Sequence, residues 1–318
     1  MVDDAPLRVV FLGTPAFALP TLDAILQSRH TVVGVVTQPD RPRGRGQRMT
    51  DAPVKMRARD AGLPLLQPGT VSDPGFLTAL AGLRPDIGVV AAYGKILSEA
   101  VLAVPPAGMI NVHASLLPRY RGAAPVHRAI MAAEPETGVT IMRVVKALDA
   151  GPMLAAARRP IGRNETSLDV EHDLAAIGAS LLVATLDRLA RGEVAGTPQD
   201  ESAASYARRL TKDDGLVDWS QPAGGVHDQI RGLHPWPHAH SYLQGRRLIL
   251  LRSVTSEATD GAPPGTILAA HGNDLHVATG AGVVQLTEIQ AEGKRPMNVR
   301  EFLSGHRLTA GDRFTSKA

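Results

Sequence analysis

The sequence predicts an α/β chain in two parts: a doubly wound, Rossmann-like domain built on a mostly parallel sheet, then a small OB-like β-barrel domain. Three observations carry this. The first half repeats short, mainly apolar runs at 8–13, 31–37 and 86–93, separated by helical patterns or turns, as buried parallel strands and their crossovers require. The stretch 192–205 contains Gly, Pro, Gln, Asp and Ser, shows little periodicity and reads as a linker. Beyond it the texture changes to strand-like pieces (247–254, 265–268, 275–278 and 283–289) between Gly, Pro and Asn turns, with one short helix at 227–233. The expected boundaries are therefore 1–191, a linker at 192–207, and 208–318.

Taken in order, 8–13 is a buried strand that ends in Gly13, and Thr14-Pro15 leads into an amphipathic helix running to about Gln27. Only Gly13 of a Gly-x-Gly-x-x-Gly fingerprint is present, which argues against a dinucleotide site despite the architecture. The second strand, 31–37, is followed by a segment at 38–49 with four arginines, two prolines and two glycines, too polar and too broken to form an element. Charge alone leaves two readings of it: a solvated surface loop, or a basic loop that orders on nucleic acid. Residues 51–61 read as a helix with Pro53 in its first turn, and 86–93 as a strand with Gly94-Lys95-Ile96-Leu97 at its C-terminal end. After a helix at 126–133, strands at 137–145 and 153–161 are spaced for antiparallel pairing. Thr166-x-x-Asp169 is a capping box opening a long helix at 168–189.

Composition narrows the chemistry. The chain has 318 residues, 44% of them hydrophobic, enough for one large or two ordinary domains with proper cores. There is no cysteine, which removes disulfides, thiolate nucleophiles and Cys-ligated zinc. None of the eleven histidines forms a His-x-x-x-His pair with a nearby acid; His234, His238 and His240 are close in sequence and read as surface loop residues rather than a metal site. The net charge of +3 permits an anionic partner without demanding one. No apolar run is long enough to cross a bilayer, and the acidic start carries no basic signal region, so the cytoplasm is the expected location.

The informative stretch is 110–125. The apolar run at 109–113 carries two polar residues, Asn111 and His113, and strand alternation points both to one face. An amide donor beside an imidazole at a strand end can hold a developing oxyanion and supply a proton. Ser115-Leu116-Leu117-Pro118 breaks the strand, and Arg119, Arg121, Gly122 and Pro125 make a rigid, basic turn. Asp149, in a tight turn after an apolar run, is the candidate to orient and charge the imidazole. Each residue alone is an ordinary structural one; the three together at strand ends or turns are what an open α/β sheet offers a ligand.

Asn111-x-His113, the Ser-Leu-Leu-Pro-x-Tyr-Arg-Gly-Ala-Ala-Pro that follows, and Thr137-Gly-Val-Thr-Ile-Met142 with Leu148-Asp-Ala-Gly151 resemble the signature of the folate-dependent formyltransferases. Within that family the whole chain resembles the branch that formylates methionyl-tRNA; Val217-Asp-Trp219, Pro235-Trp-Pro237 and Gly293-Lys294 extend the likeness, less specifically, into the second half. The resemblance implies 10-formyltetrahydrofolate as formyl donor, the α-amino group of methionyl initiator tRNA as acceptor, a place in translation initiation in a bacterium, no metal, and a monomer. It implies catalytic roles for Asn111, His113 and Asp149. It implies folate contacts from Ser115, Leu116, Leu117 and Pro118 and from Ile96 and Leu97, although ordinary packing explains the last two as well. It also assigns the segment at 38–49 to a loop that wedges into the acceptor end of the tRNA, with Arg45 the matching arginine and Arg43 beside it. Arg208 and Lys212 could touch the tRNA backbone or form a solvated face. Sugar-nucleotide N-formyltransferases and formyltetrahydrofolate hydrolases share the polar core, and a folate- or RNA-binding protein without catalysis is the non-enzymatic alternative.

Overall fold

A computed structural model of the chain describes residues 5–43, 48–256 and 261–317. They form two compact units. The first comprises Met1–Gly122, Thr137–Arg159 and Glu171–Tyr206; the second comprises Ala123–Glu136, Pro160–Val170 and Ala207–Ala318.

The first unit is built on a seven-stranded sheet. Its strands are β1 (Arg8–Gly13), β2 (Thr31–Val36), β5 (Leu65–Leu66), β6 (Ile87–Ala91), β7 (Met109–His113), β9 (Glu136–Arg143) and β10 (Met153–Pro160), in the order β10-β9-β7-β6-β1-β2-β5. From β5 to β7 the strands are parallel. β9 runs antiparallel to β7. The Arg143 N–H donates to the Pro152 carbonyl, and Gly138 lies against the Ala157 carbonyl, a register that makes β10 antiparallel to β9. The chain winds outward from β1 through β2 to β5, then returns to the other side of β1 for β6 and β7, so the switch point lies between β1 and β6. Val9, Val10, Phe11 and Leu12 are all fully buried, as expected of a central strand covered on both faces. A side chain at Gly13 would meet Phe11 Cε1 at 2.7 Å and Ala18 Cβ at 2.9 Å, so glycine stands there for packing.

The helices of the chain are α1 (Leu19–Gln27), α2 (Pro53–Asp60), α3 (Pro74–Gly82), α4 (Glu99–Leu102), α5 (Pro125–Met131), α6 (Ser167–Ala190), α7 (Ala223–Gly232) and α8 (Val299–Gly305). In α6, Leu174, Gly178, Leu182, Leu186 and Ala190 recur every four residues, and the four with side chains are buried. A Cβ on Gly178 would come within 2.8 Å of Val112 and 3.2 Å of Val139, so this glycine lets the helix sit close against β7 and β9. Val112 thus faces α6, and Asn111 and His113, its neighbours in the strand, face the other way. Thr166 and Asp169 form the expected capping contacts: the Thr166 N–H donates to Asp169 Oδ2 at 2.9 Å and the Asp169 N–H to Thr166 Oγ1 at 3.4 Å.

The segment at 38–49 corrects the expectation of a loop without elements. It forms an antiparallel ribbon of β3 (Arg41–Arg43) and β4 (Arg48–Thr50), with Arg43 opposite Arg48. The sequence hides it because Arg-Pro-Arg and Arg-Met-Thr carry no alternating apolar pattern. Its base is held by one buried ammonium: Lys55, in the first turns of α2, contacts Asp40 just before β3 and donates to Asp51, just after β4, at 2.7 Å. Gln67 donates to Asp40 Oδ1 at 3.2 Å and to the Gln38 carbonyl at 3.0 Å. The Lys55 contact holds the Asp40 carboxyl below its usual range, and Asp40 in turn pushes Lys55 up.

After β8 (Arg121–Gly122) and β11 (Tyr206–Ala207) come the strands of the second unit. These are β12 (Ala239–Leu243), β13 (Arg246–Ser256), β14 (Ile267–His271), β15 (Asp274–Ala278), β16 (Val283–Ala291), β17 (Met297–Asn298) and β18 (Phe314–Thr315). They form an antiparallel sheet in the order β14-β15-β16-β13-β12-β18, with β17 on β16. Register shifts around Arg252 in the long β13 mark where the sheet curls, which gives the OB-like half-barrel. Trp219, Leu250, Leu286, Ile289, Phe302 and Phe314 belong to its core. The expected strands are all present; β12, β17, β18 and α8 are additional. The histidine reading is also corrected: His240 is buried on β12, and His234 and His238 are half-buried, because the Pro235-Trp236-Pro237 turn folds them inward. Burial lowers the basicity of all three. Among the described residues no helix is long and apolar enough to cross a membrane.

Lys55→Met removes the cation shared by the two ends of the ribbon, leaving Asp51 to Arg59 and Asp40 to the Gln67 amide. Hydrogen exchange should show the backbone amides of Arg41, Arg43 and Arg48–Thr50 exchanging about tenfold faster, with protection in β1 unchanged.

Candidate active site

The end of β7 carries the polar residues of interest. His113 is buried, and its Nε2 lies 3.0 Å from the Tyr120 carbonyl oxygen. A carbonyl only accepts, so Nε2 carries the proton and donates it. The nitrogen that gains or loses a proton is therefore Nδ1, and it lies 3.8 Å from Asp149 Oδ2. Protonation of the ring would complete an ion pair with a carboxylate whose side chain is itself mostly buried. Asn111 is half-buried two residues earlier, on the same face.

Asp149 reaches His113 by an unusual path. At the end of β9 the Val144 N–H donates to the Met109 carbonyl, at the start of β7. Asp149 contacts the other end of β7, so within five residues the chain has doubled back along the strand. Asp149 sits in this turn at φ +48°, the left-handed region that L-residues seldom occupy. Its Oδ2 accepts the Gly122 N–H at 2.8 Å. A Cβ on Gly151 would come within 1.9 Å of the Arg143 carbonyl oxygen, so only glycine closes the turn.

The loop 115–122 is as tightly held. Ser115 is fully buried; its hydroxyl donates to the Arg119 carbonyl at 2.8 Å, and its carbonyl accepts from Thr140 Oγ1 at 2.7 Å. Leu117 is buried, and Leu116 and Pro118 are half-buried, with Leu116 packed over Gly138. Tyr120, at φ +61°, donates its N–H to Ser205 Oγ at 2.9 Å. Ile96 and Leu97 follow β6, at the same end of the parallel strands as His113. Their turn is anchored by the Tyr93 carbonyl, which accepts from Gln38 Nε2 at 2.7 Å and Thr14 Oγ1 at 3.3 Å. Leu97 packs into the core, whereas Ile96 is 81% exposed and Leu148, beside Asp149, is 54% exposed. These two uncovered apolar side chains suit an apolar ring system better than they suit water. Burial pushes the Tyr93 phenol up to about 12, so it stays neutral.

The basic residues behave differently. Arg43 stands on β3, and Arg45 lies outside the described residues. Arg208 donates to both oxygens of Asp214, at 2.5 and 3.1 Å, and Arg128 donates to the same carboxylate at 3.0 Å. Burial alone would raise Asp214. The Thr211 N–H and the two guanidinium groups outweigh it and hold the carboxyl at about 2. Arg208 therefore has a structural partner within its own unit. Lys212 is exposed and lines a cleft of about 1120 Å³ that also displays Arg246, Arg247 and Lys294, with Asp213 and Glu292 among them. Among the described residues no group of three His, Asp or Glu side chains is placed to hold a metal ion.

The structure thus brings Asn111, His113 and Asp149 to one place, with Leu116, Leu117 and Pro118 in the adjoining loop. Sequence reasoning missed the residues that hold them: the Tyr120 carbonyl, the Gly122 amide, and Gln199, Glu201 and Ser205 from the stretch read as a linker. Gln199 is fifty residues from the turn it contacts, and no local pattern signals it.

Comparison with known proteins was made against this geometry. Residues 7–186 match the family model described as formyl transferase, and residues 209–307 match the formyl transferase C-terminal domain. The chain is 46% identical over 305 residues to a methionyl-tRNA formyltransferase of Citrifermentans bemidjiense, covering 96% of this chain and 95% of that protein. It is 47% identical over 310 residues to one of Roseiflexus castenholzii, covering 96% and 98%. Among solved structures it resembles an N-formyltransferase of Helicobacter canadensis, with a TM-score of 0.68, 16% identity, and 88% and 99% of the two chains covered. It also resembles HypX of Aquifex aeolicus in complex with tetrahydrofolic acid, with a TM-score of 0.65, 18% identity, and 94% of this chain but only 47% of that one covered. The two structural likenesses are of fold.

Gly151→Ala would force the turn off the Arg143 carbonyl. Urea denaturation should show a loss of roughly 1–3 kcal/mol, and the Gly122 amide should exchange faster as its bond to Asp149 breaks.

Proposed function

The chain belongs to the formyl transferase family, in its methionyl-tRNA formyltransferase branch, and we propose on that footing that it transfers the formyl group of 10-formyltetrahydrofolate to the α-amino group of methionyl initiator tRNA. The observation that carries this reading is the convergence of Asn111, His113 and Asp149 at one strand end, in a chain related over nearly its whole length to proteins of that name.

The donor supplies an N-formyl carbon for the amine to attack, and the residues handle the charge and the proton. The Asn111 carboxamide donates to the oxyanion that develops on the formyl oxygen. His113, fixed at Nε2 by the Tyr120 carbonyl, presents Nδ1 as the exchangeable site. Protonated there, it adds positive charge next to the developing negative charge. Asp149 stabilises that imidazolium and, with a water, carries the proton that the amine loses as the new C–N bond forms. The donor nitrogen takes up a proton as the old C–N bond breaks, so the transfer is balanced without a metal. Ile96 and Leu97, with Leu116, Leu117 and Pro118, supply the apolar wall for the pterin. Ser115 serves the wall through the loop that its hydroxyl closes.

Residues 1–191 are proposed as the catalytic domain, 192–207 as the connection, and 208–318 as a tRNA-binding domain. The ribbon bearing Arg43 begins and ends beside two carboxylates that share Lys55, and Arg45 falls between its two strands in sequence. That is a suitable mount for a basic element that engages the acceptor end. Lys212, in its basic cleft, is a better candidate for backbone phosphate than Arg208, which Asp214 already engages. The enzyme is proposed to act in the cytoplasm as a monomer.

The direct test is transfer from labelled 10-formyltetrahydrofolate to charged initiator tRNA, charged elongator Met-tRNA, or no acceptor. Formylmethionine on the initiator alone is expected; release of formate without acceptor would identify a hydrolase instead. Asn111→Ala should lower kcat by roughly 100-fold, the scale of one oxyanion donor, with donor KM little changed. Near-normal turnover would remove Asn111 from that role. Arg45→Ala should raise the tRNA KM and leave folate binding intact, measured by steady-state kinetics and folate titration.

A further inference from the structure

We infer that Gln199 is a positioning residue for formyl transfer: through hydrogen bonds to the Asp149 turn and to Arg121 it sets the place of the Asp149 carboxylate against His113. The inference rests on the catalytic reading of Asn111, His113 and Asp149.

The argument is one of hydrogen-bond capacity. Gln199 Nε2 donates to the Asp149 carbonyl and to the Gly151 carbonyl, both at 2.8 Å. Gln199 Oε1 accepts from Arg121 Nε at 3.0 Å and Nη2 at 2.8 Å. Both donors and both lone pairs of the carboxamide are therefore used. Turning the amide over would face its oxygen to two carbonyls and its NH₂ to a guanidinium, so only one orientation fits. Arg121, in turn, is 1% exposed and also donates to Glu201, from Nη1 at 2.9 Å and Nη2 at 2.7 Å.

This places Gln199 between two parts of the site. On one side it grips the backbone of Asp149, whose left-handed conformation needs outside support to persist. On the other it fixes Arg121, whose neighbour Gly122 donates its N–H to Asp149 Oδ2. Backbone and side chain of one residue are thus located by one carboxamide. The same segment also reaches His113: Ser205 Oγ accepts the Tyr120 N–H, and the Tyr120 carbonyl accepts from His113 Nε2. A loop staple with no catalytic consequence would not need to address the one turn that carries the carboxylate.

Two substitutions separate the functions of Gln199. Gln199→Glu keeps an acceptor for Arg121 and loses both donors to the turn; Gln199→Ala loses everything. Both should lower kcat at least tenfold with KM for folate and for tRNA within twofold, Gln199→Glu because a carboxylate oxygen then faces the two carbonyls that Nε2 served. Combined with Asp149→Asn, Gln199→Ala should cost nothing more, since it acts through a group already removed. Wild-type kcat in both single variants, or an equal loss in the Asp149→Asn background, would overturn the proposal. Asp149→Asn with normal turnover would overturn the catalytic reading and this proposal with it, whereas a dead Asp149→Asn beside an unimpaired Gln199→Ala overturns the positioning role alone. If Gln199→Ala does not fold, Glu201→Gln takes its place, its side chain being 68% exposed. It should lower kcat several-fold with the same lack of additivity, and full activity there would overturn the proposal.

Discussion

A buried imidazole at the end of a buried strand must have both its nitrogens accounted for, and the site is arranged around that requirement. His113 sits where the core excludes water, so an unpartnered ring nitrogen would carry the full desolvation penalty of roughly 1–3 kcal/mol. The Tyr120 carbonyl takes one nitrogen, and this sets the tautomer. What remains is a single protonation site facing a single carboxylate. The left-handed backbone at Tyr120 and Asp149, the closed Ser115 loop and the glycine at 151 all serve to bring those two partners to the ring. The geometry is over-determined, each partner of the ring being held by further hydrogen bonds of its own.

Charged groups elsewhere in the chain are used for construction as often as for display. Arg121 is buried and engaged by Gln199 and Glu201; Lys55 is buried and joins the two feet of a ribbon; Arg208 and Arg128 share Asp214. A net charge of +3 therefore understates how selectively the basic groups are placed. Lys212, by contrast, is exposed in the barrel cleft.

The two sheets were legible because each follows its own periodicity. Continuous apolar runs marked β1, β2, β6 and β7, and strand-like pieces between Gly, Pro and Asn turns marked β13 to β16. Elements too short to show a period were not legible: β3 and β4 are three residues each, Arg-Pro-Arg and Arg-Met-Thr, and β17 and β18 are two residues each. The inward turn of His234, His238 and His240 escaped for a similar reason, since a Pro-Trp-Pro turn in sequence does not say which side of it is covered.

By itself the sequence determined the fold class, the family, and the three polar residues at strand ends and turns, because strand alternation is a local property that puts Asn111 and His113 on one face wherever the strand lies. It could propose Asp149 but not bring it to the ring. That required the turn after β9 to double back along β7, which depends on contacts between residues far apart in the chain: Gly122 with Asp149, and Gln199 with both carbonyls of the turn. The protonation site on His113 was likewise decided only in the tertiary structure, since a carbonyl seven residues away chooses which nitrogen keeps the proton. Such choices belong to hydrogen-bond geometry across elements, which no residue pattern along one element encodes.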